Sequence, residues 1–106
     1  MATLSTHVLD TGAGRPARGV AVVLESTAGE VLGDGRTDAD GRVGSIGGDL
    51  VHGDYRLRFD TGVWFADAGV EGFYPEVAVS FTITTDEHFH VPLLLGRYGY
   101  STYRGS

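Results

Sequence analysis

Alternation of apolar and polar residues runs through much of the chain and predicts β-strands. In the segment DYRLRFD, Tyr55, Leu57 and Phe59 fall on one side of an extended chain, and charged residues fall on the other. Such a period of two is typical of an antiparallel strand that has one solvated face. The segment EVAVSFTIT repeats the pattern, and its apolar side consists of Val77, Val79, Phe81 and Ile83. Both segments are therefore predicted to be strands that cover a core.

Five further segments extend this prediction. GVAVVLES is apolar on both sides and rich in β-branched residues, which favours a buried strand, and EVLGDGRT carries a weaker strand pattern. In TLSTHVLD and HFHVPLLL, one side is apolar and histidines occupy the other side. In YSTYRGS, Ser101 and Tyr103 share one side. Pro92 in HFHVPLLL is unexpected, since proline belongs on edge strands or at irregularities of a sheet.

Turn signals separate these segments, and one helix interrupts them. STAGEV and TDADGR predict tight turns, whereas GAGRPARG and SIGGDLVHGD predict longer loops. Three apolar residues of the last loop are expected to be buried, namely Ile46, Leu50 and Val51. A helix is predicted to begin at Asp60 or Thr61, with Trp64 and Ala68 on one face. It should end at a glycine before Pro75. About eight strands and one short helix indicate an all-β sandwich of two sheets.

The composition sets limits on the fold and on its partners. A chain of 106 residues is expected to form a single domain, residues 1–106. It has no cysteine, which excludes disulfides and thiolate metal sites, and its net charge of −6 disfavours nucleic acids and anionic membranes as partners. No apolar run approaches the ~18 residues of a membrane span, and MATLSTHVLD lacks the features of a signal peptide. A cytoplasmic protein is the simplest interpretation.

Three predicted strands carry side chains suited to proton transfer on their polar sides. One carries His7, one carries His90, and one carries Ser101 with Tyr103. Imidazole is the side chain best suited to exchange protons near neutral pH. The period of two does not show that these sides adjoin, so three ordinary solvated faces are the alternative interpretation.

Other chemistries have less support. His88 and His90 point the same way on one strand, and together with His7 they would form the three-histidine set of a catalytic zinc site. No metal signature such as HExxH accompanies them, so no metal is predicted. His52 lies in a loop and is predicted to be merely exposed. The sequence also lacks a GxSxG elbow, a phosphate-binding loop and a dinucleotide fingerprint, and its carboxylates lie largely in loops and turns, which gives no support to a glycosidase-like acid pair.

Four motifs, taken in order, resemble those of the 5-hydroxyisourate hydrolases, the transthyretin-like enzymes of purine breakdown. They are STHVLD, TDADGR, HFHVPLLL and YSTYRGS. The resemblance extends from Leu4 to Ser106, and the terminal Tyr-Arg-Gly-Ser is its most specific part. Gly96 and Arg97 depart from the Ser-Pro pair of many members, which affects a turn and not the chemistry.

The resemblance implies a transthyretin-like, or prealbumin-like, β-sandwich of two four-stranded sheets with one short helix. It implies a homotetramer, a dimer of dimers, with active sites in a channel between the dimers. It also implies hydrolysis of 5-hydroxyisourate at an acyl–nitrogen bond, which yields 2-oxo-4-hydroxy-4-carboxy-5-ureidoimidazoline in urate breakdown. Neither a metal nor an organic cofactor is expected.

The resemblance assigns roles to individual residues. The expected catalytic residues are His7, Arg42, His90 and Tyr103. The expected substrate-binding residues are His7, Arg42, Ser101 and Tyr103, where Ser101 is included because it shares a side with Tyr103. Supporting positions are His88, Arg104, Gly105 and Ser106. Without the resemblance, Arg42 would be interpreted as a solvated turn residue.

The resemblance and the alternation of the last strand also predict where the side chains of the C-terminal tail, Tyr103–Ser106, lie. Tyr103 should point into the site, and Arg104 should lie on the opposite face in a salt bridge or in hydrogen bonds to backbone. Gly105 should allow a tight bend of the backbone. The carboxylate of Ser106 is expected to pair with a cation.

Two functions of other classes compete with hydrolysis. A carrier of an aromatic hormone would share the fold, but the polar set of His7, Arg42, His90 and Tyr103 does not suit an apolar ligand. A non-catalytic adhesion or assembly module would explain the strands but not the composition of the tail.

Overall fold

Nine β-strands and one short helix form the protein, whose structure is a computed structural model that describes residues 1–106. The elements in chain order are β1 (Thr3–Asp10), β2 (Arg15–Pro16), β3 (Ala21–Ser26), β4 (Val31–Arg36), β5 (Arg42–Val43), β6 (Gly53–Phe59), α1 (Thr61–Asp67), β7 (Val77–Ile83), β8 (His88–Leu95) and β9 (Tyr100–Thr102). The seven-residue helix falls far short of what a bilayer crossing requires.

The first sheet is built around a parallel pair, β1 with β8. Its order is β2-β1-β8-β9, and β5 also pairs with β1. All pairings in it except β1 with β8 are antiparallel. The sheet has five strands rather than the expected four, because two-residue strands occupy successive stretches of the free edge of β1. β5 lies beside His7 and β2 lies beside Leu9. Both short strands fall in segments that the sequence pattern assigned to a turn and a loop.

The second sheet is antiparallel, in the order β4-β3-β6-β7, and an apolar core fills the space between the two sheets. The alternation predicted for β6 is confirmed, since Tyr55, Leu57 and Phe59 are buried. β7 is an edge strand, and for this reason Val79 and Phe81 are only partly buried. The two-sheet sandwich with one helix that the sequence predicts is therefore the observed architecture.

The loop between β5 and β6 is held to the core by two of the three residues predicted to be buried there. Ile46 and Leu50 are buried, and the backbone groups of Leu50 and Ala2 exchange two hydrogen bonds. Val51 is 59% exposed, which contradicts the prediction. Val51 directly follows Leu50, the last residue paired with Ala2, and its side chain points to solvent. The backbone carbonyl of Val51 accepts a hydrogen bond from the Tyr55 hydroxyl.

The helix begins where the sequence predicts, with Asp60 as N-cap. The Asp60 carboxylate makes no capping hydrogen bond and instead accepts one from Arg58 at 3.3 Å. Phe65 is the large side chain that the helix buries in the core. Gly69 follows the helix with a φ of 70°, a left-handed conformation that ends it at low steric cost.

Pro92 is accommodated inside the first sheet because the ladder is interrupted beside it. The carbonyl oxygen of His90 accepts from Gly105 N at 2.8 Å, and that of Pro92 accepts from the Thr102 hydroxyl at 2.7 Å. The backbone groups of Pro92 thus face the tail. β9 pairs only with Leu93–Leu95, so no strand residue stands opposite the proline nitrogen on that side. The missing N–H therefore removes no ladder hydrogen bond.

Candidate active site

The parallel pairing of β1 with β8 brings His7 and His90 together on one face of the first sheet. Ser5 stands opposite His90, and His7 stands opposite Pro92. Residues directly opposite each other share a face, so the polar sides of the two strands form one continuous surface that faces away from the core. The ring centroids of His7 and His90 are 6.3 Å apart. The polar sides of β1 and β8, which the sequence pattern left separate, therefore adjoin.

The TDADGR turn delivers Arg42 to the same surface. Arg42 lies in β5 directly opposite His7. Its position is set by Asp38, whose carboxylate accepts backbone hydrogen bonds from Asp40 at 2.9 Å and from Arg42 at 3.0 Å. Gly41 has a φ of 75°, and a Cβ there would lie 2.4 Å from the carbonyl oxygen of Val8. Only glycine therefore lets this turn approach β1 so closely.

The same turn orients His7. The ring Nε2 of His7 lies 2.8 Å from the carbonyl oxygen of Asp40. A carbonyl only accepts hydrogen bonds, so Nε2 carries a proton and donates it. In the neutral ring, Nδ1 is then the unprotonated nitrogen. The turn thus fixes both the position of a guanidinium and the tautomer of an imidazole.

Hydrogen bonds from the turn also explain the acidity of Asp38. The backbone N–H of Arg42 is the largest influence, and it lowers the pKa of the Asp38 carboxyl below its ordinary value. Desolvation is the second-largest influence and opposes this lowering, whereas the backbone N–H of Asp40 and the charges of Arg42 and His7 add to it. The ionised carboxylate is the form that holds the turn.

A chain of short hydrogen bonds runs across β1 and β8 beneath the histidine pair. The hydroxyl oxygen of Ser5 lies 2.7 Å from Nδ1 of His90 and 2.7 Å from Nε2 of His88. The other ring nitrogen of His88, Nδ1, lies 2.7 Å from the hydroxyl oxygen of Thr3. We call Thr3, His88, Ser5 and His90 the Ser5 chain. Sequence reasoning missed Ser5 and Thr3, although both share the polar side of β1 with His7.

The surroundings of His90 favour its neutral form. Its pKa is lowered, first by desolvation and then by the nearby charges of Arg42, His7 and His88. The tail closes one edge of the ring, since a Cβ added at Gly105 would lie 2.6 Å from Cδ2 of His90. Gly105 does not have a left-handed φ. Its role is thus close approach to His90 rather than the tight bend expected from sequence.

The other tail residues are divided between two sides of β8. Ser101 pairs with Leu94 and so lies on the His90 side, where it is exposed. Arg104 lies on the opposite side, where it forms a salt bridge with Glu87 and its guanidinium stacks 4.6 Å from the centre of the Phe89 ring. A salt bridge on that side is what alternation predicts for Arg104. Ser106 is exposed.

Tyr103 belongs to the tail that follows β9. It is 56% exposed and borders an open groove of about 330 Å³ at the edge of the sandwich, which Phe89 and Val91 also line. β9 ends at Thr102, so the paired strand itself does not extend to Tyr103, and the contact of Tyr103 with the site stays a prediction.

The histidines of the chain are not arranged around a common metal position. No group of three or more His, Asp or Glu side chains is arranged to hold a metal ion. Both ring nitrogens of His88 are engaged by hydroxyl groups, and Nδ1 of His90 is engaged by Ser5. His52 is exposed, as predicted, and pairs with Asp86 at 2.8 Å.

Two imidazoles and one guanidinium on a shared surface can carry out acyl hydrolysis. A neutral imidazole can take a proton from water, and a guanidinium can bind the oxygen that becomes negatively charged. None of the four cavities in a single chain is lined by His7, Arg42 or His90. The surface is therefore open in an isolated chain.

Comparisons with known proteins agree on one family. The model of the HIUase/Transthyretin family matches residues 4–105. The 5-hydroxyisourate hydrolase of Salmonella typhimurium is 49% identical over 109 residues, which cover 97% of this chain and 80% of that protein. The Caulobacter vibrioides 5-hydroxyisourate hydrolase is 45% identical over 115 residues and the whole of both chains. The solved structure of Klebsiella pneumoniae 5-hydroxyisourate hydrolase superposes with a TM-score of 0.93, at 47% identity and full coverage of both chains.

Proposed function

Because the chain belongs to the HIUase/Transthyretin family, we propose that it hydrolyses 5-hydroxyisourate to 2-oxo-4-hydroxy-4-carboxy-5-ureidoimidazoline in the breakdown of urate. One observation carries the proposal beyond family membership. His7 and His90 lie 6.3 Å apart, and Arg42 is paired opposite His7 on the same surface. Together these groups can supply a base, a proton donor and a cation for the oxyanion, which opening an acyl–nitrogen bond with water uses.

Each of the three residues has a role that follows from its surroundings. His90 is the proposed base, since its lowered pKa keeps the ring neutral and able to accept a proton from water. Arg42 is placed to stabilise the oxyanion of the tetrahedral intermediate. His7 is the proposed donor to the leaving nitrogen, through Nδ1 of its doubly protonated form, because its Nε2 is held by Asp40.

Ser101 and Tyr103 are proposed as substrate contacts. Ser101 lies on the His90 side of the sheet, which supports its role. For Tyr103, support comes from the match of the terminal tetrapeptide to the family motif. Replacement of Tyr103 by phenylalanine removes only the hydroxyl, so a change in KM or kcat would measure its contribution.

A spectrophotometric assay tests the function directly. Freshly generated 5-hydroxyisourate decays spontaneously, so its rate of loss must be compared with and without the protein. We expect rapid, saturable acceleration by the protein. A hormone carrier would bind a ligand without turnover, and an assembly module would show neither effect.

Loss of activity after exhaustive chelation, restored by zinc, would contradict the proposed metal-independent mechanism.

The open surface supports a homotetramer, a dimer of dimers. Catalysis benefits from exclusion of water, and a single chain offers no cavity around His7, Arg42 and His90. A second copy facing this surface would convert it into a channel. β7 and β9 end the path of paired strands in their sheets and offer unpaired backbone groups for association.

A cytoplasmic location completes the proposal. A chain without cysteine does not need an oxidising compartment. Fractionation of cells that produce the tagged chain tests the location, and recovery with the membrane or secreted fraction would contradict it.

A further inference from the structure

We propose that Ser5 and His88 form a proton relay that carries the proton taken up by His90 away from the reaction site to solvent. The inference rests on the proposed hydrolysis and adds two positioning residues to it. Neither residue is required to touch the substrate. Both act through Nδ1 of His90, the ring nitrogen that lies 2.7 Å from the Ser5 hydroxyl oxygen.

The geometry of Ser5 suits a relay. Its side chain is almost completely covered, with 8% exposure, and its hydroxyl lies 2.7 Å from one nitrogen of each ring. The contact follows from the strand register, because Ser5 stands directly opposite His90 in the parallel pair. The route ends at His88, which is exposed. A buried hydroxyl thus connects a partly buried imidazole to an exposed one.

A hydroxyl has one proton and two acceptor sites, so Ser5 can donate to only one of its two rings. When Ser5 donates to Nε2 of His88, Nδ1 of His90 must carry a proton and donate it to Ser5. Nε2 of His90 is then unprotonated, which is the form that a base requires. In this arrangement, the one in which Ser5 donates to His88, the Ser5 chain holds His90 in its reactive tautomer.

The relay moves one proton per turnover. When Nε2 of His90 takes a proton from the attacking water, the ring becomes doubly protonated. Its Nδ1 proton passes to the Ser5 oxygen as the Ser5 proton passes to Nε2 of His88, and His88 becomes the cation. His88 then releases a proton to solvent. His90 is left neutral with its proton on Nε2. After the product leaves, Nε2 gives this proton to solvent while His88 takes one up from solvent and the Ser5 chain shifts back, so the base is restored and one proton is released per turnover.

The chemistry of the product requires such an exit. Hydrolysis of an acyl–nitrogen bond gives a carboxylic acid, which ionises near neutral pH and leaves one proton in excess. The charged and titratable groups that face His90 are Arg42 from β5, His7 from β1 and His88 from β8. The cation of Arg42 disfavours a proton on His90, whereas the exposed His88 is solvated. The charges therefore favour transfer of the proton from His90 to His88.

Ser5→Ala tests the relay, with Ser5→Thr as the variant that keeps a hydroxyl and His52→Asn as a control at an exposed histidine outside the site. We expect Ser5→Ala and His88→Phe to lower kcat about 10-fold to 100-fold with little change in KM, the usual size of effects that act through a neighbouring group. Ser5→Thr should retain most of kcat, and His52→Asn should match the native chain. Circular dichroism confirms that each variant is folded.

Two readouts separate a relay from a purely structural role. Added imidazole in the assay should restore part of the kcat of His88→Phe, because a small base can replace the missing proton carrier. Nitrogen-15 NMR of the free protein should show Nδ1 of His90 protonated in the native chain and a mixture of tautomers in Ser5→Ala. A native kcat and an unchanged pH profile in both Ser5→Ala and His88→Phe would overturn the relay. If the native chain itself does not accelerate loss of 5-hydroxyisourate, the proposed function fails, and with it the catalytic role of the relay.

Discussion

His90 is surrounded by three groups that can carry positive charge, and this sets the pH range in which it can act. An ordinary histidine has a pKa of about 6.5. Desolvation and the charges of Arg42, His7 and His88 lower the pKa of His90 below its ordinary value. The neutral ring therefore persists into more acidic solution than an ordinary imidazole does.

Removal of one of these charges should raise the pKa of His90. In Arg42→Gln, loss of the guanidinium favours the protonated ring, so the pKa moves upward and the acid limb of the residual activity moves to higher pH. The pKa can be followed by NMR titration of the His90 ring. An unchanged pKa in Arg42→Gln would contradict the assignment of Arg42 as a close neighbour of His90.

Loss of either paired imidazole should have a large effect on turnover. We expect His7→Asn and His90→Asn each to lower kcat by about 100-fold or more, the usual contribution of acid–base groups. His52→Asn is the matched control, because His52 lies in an exposed loop away from the pair. Native rates in both folded variants would show that the pair is not catalytic.

At the scale of an element, the turn from Asp38 to Arg42 acts as a unit. Asp38→Ala removes the acceptor of two backbone hydrogen bonds, so Arg42 should lose its fixed position and kcat/KM should fall about 10-fold or more. Asp38→Asn keeps an acceptor oxygen and should lose much less. Equal activity of the two variants would refute this role of the carboxylate.

The charge of Asp38 gives this prediction a pH dependence. Its pKa is lowered in the folded chain, so its stabilising effect is present above the ordinary carboxyl pKa and is lost as pH falls through the lowered value. Thermal unfolding of the native chain should therefore become more acid-sensitive than that of Asp38→Asn.

The tail is a second element whose effect can be isolated. Gly105→Ala places a methyl group 2.6 Å from the His90 ring, which cannot move freely because Ser5 holds its other edge. We expect lower kcat with an unchanged fold, since β9 is complete before this residue.

Deletion of Tyr103–Ser106 should also abolish most activity and leave a folded oligomer. Full activity of the truncated chain would remove the tail from the site.

At the scale of the whole molecule, the chain should associate. Light scattering at micromolar concentration should give the mass of four chains, because each chain presents unpaired strand edges and an open catalytic surface. Charged substitutions at Ser80 and Thr82, both exposed on β7, should reduce the mass if that edge is used. A monomeric mass for the native chain would contradict the tetramer.

Local pattern was sufficient to predict the longer strands, the helix and the sides on which His7 and His90 lie, but not the two-residue strands β2 and β5. Periodicity could not reveal that these sides adjoin, because the pairing of β1 with β8 joins residues 85 positions apart. It could not identify Ser5 either, since a small hydroxyl on a polar side is ordinary until the register places it between two rings. The contact of Tyr103 with the site stays a prediction, because β9 ends at Thr102 and the alternation used for Tyr103 lies beyond that end.

The distance along the chain between β1 and β8 also governs the order of assembly during synthesis. Strands of the second sheet pair with neighbours closer in sequence, so they can associate while translation continues. Strand β1, made first, has only the two-residue strands β2 and β5 beside it until β8 emerges from the ribosome. Closing so long a loop is entropically costly and slow. The two histidines can therefore meet only after β8 has been made, so a nascent chain that lacks β8 also lacks the paired histidine surface.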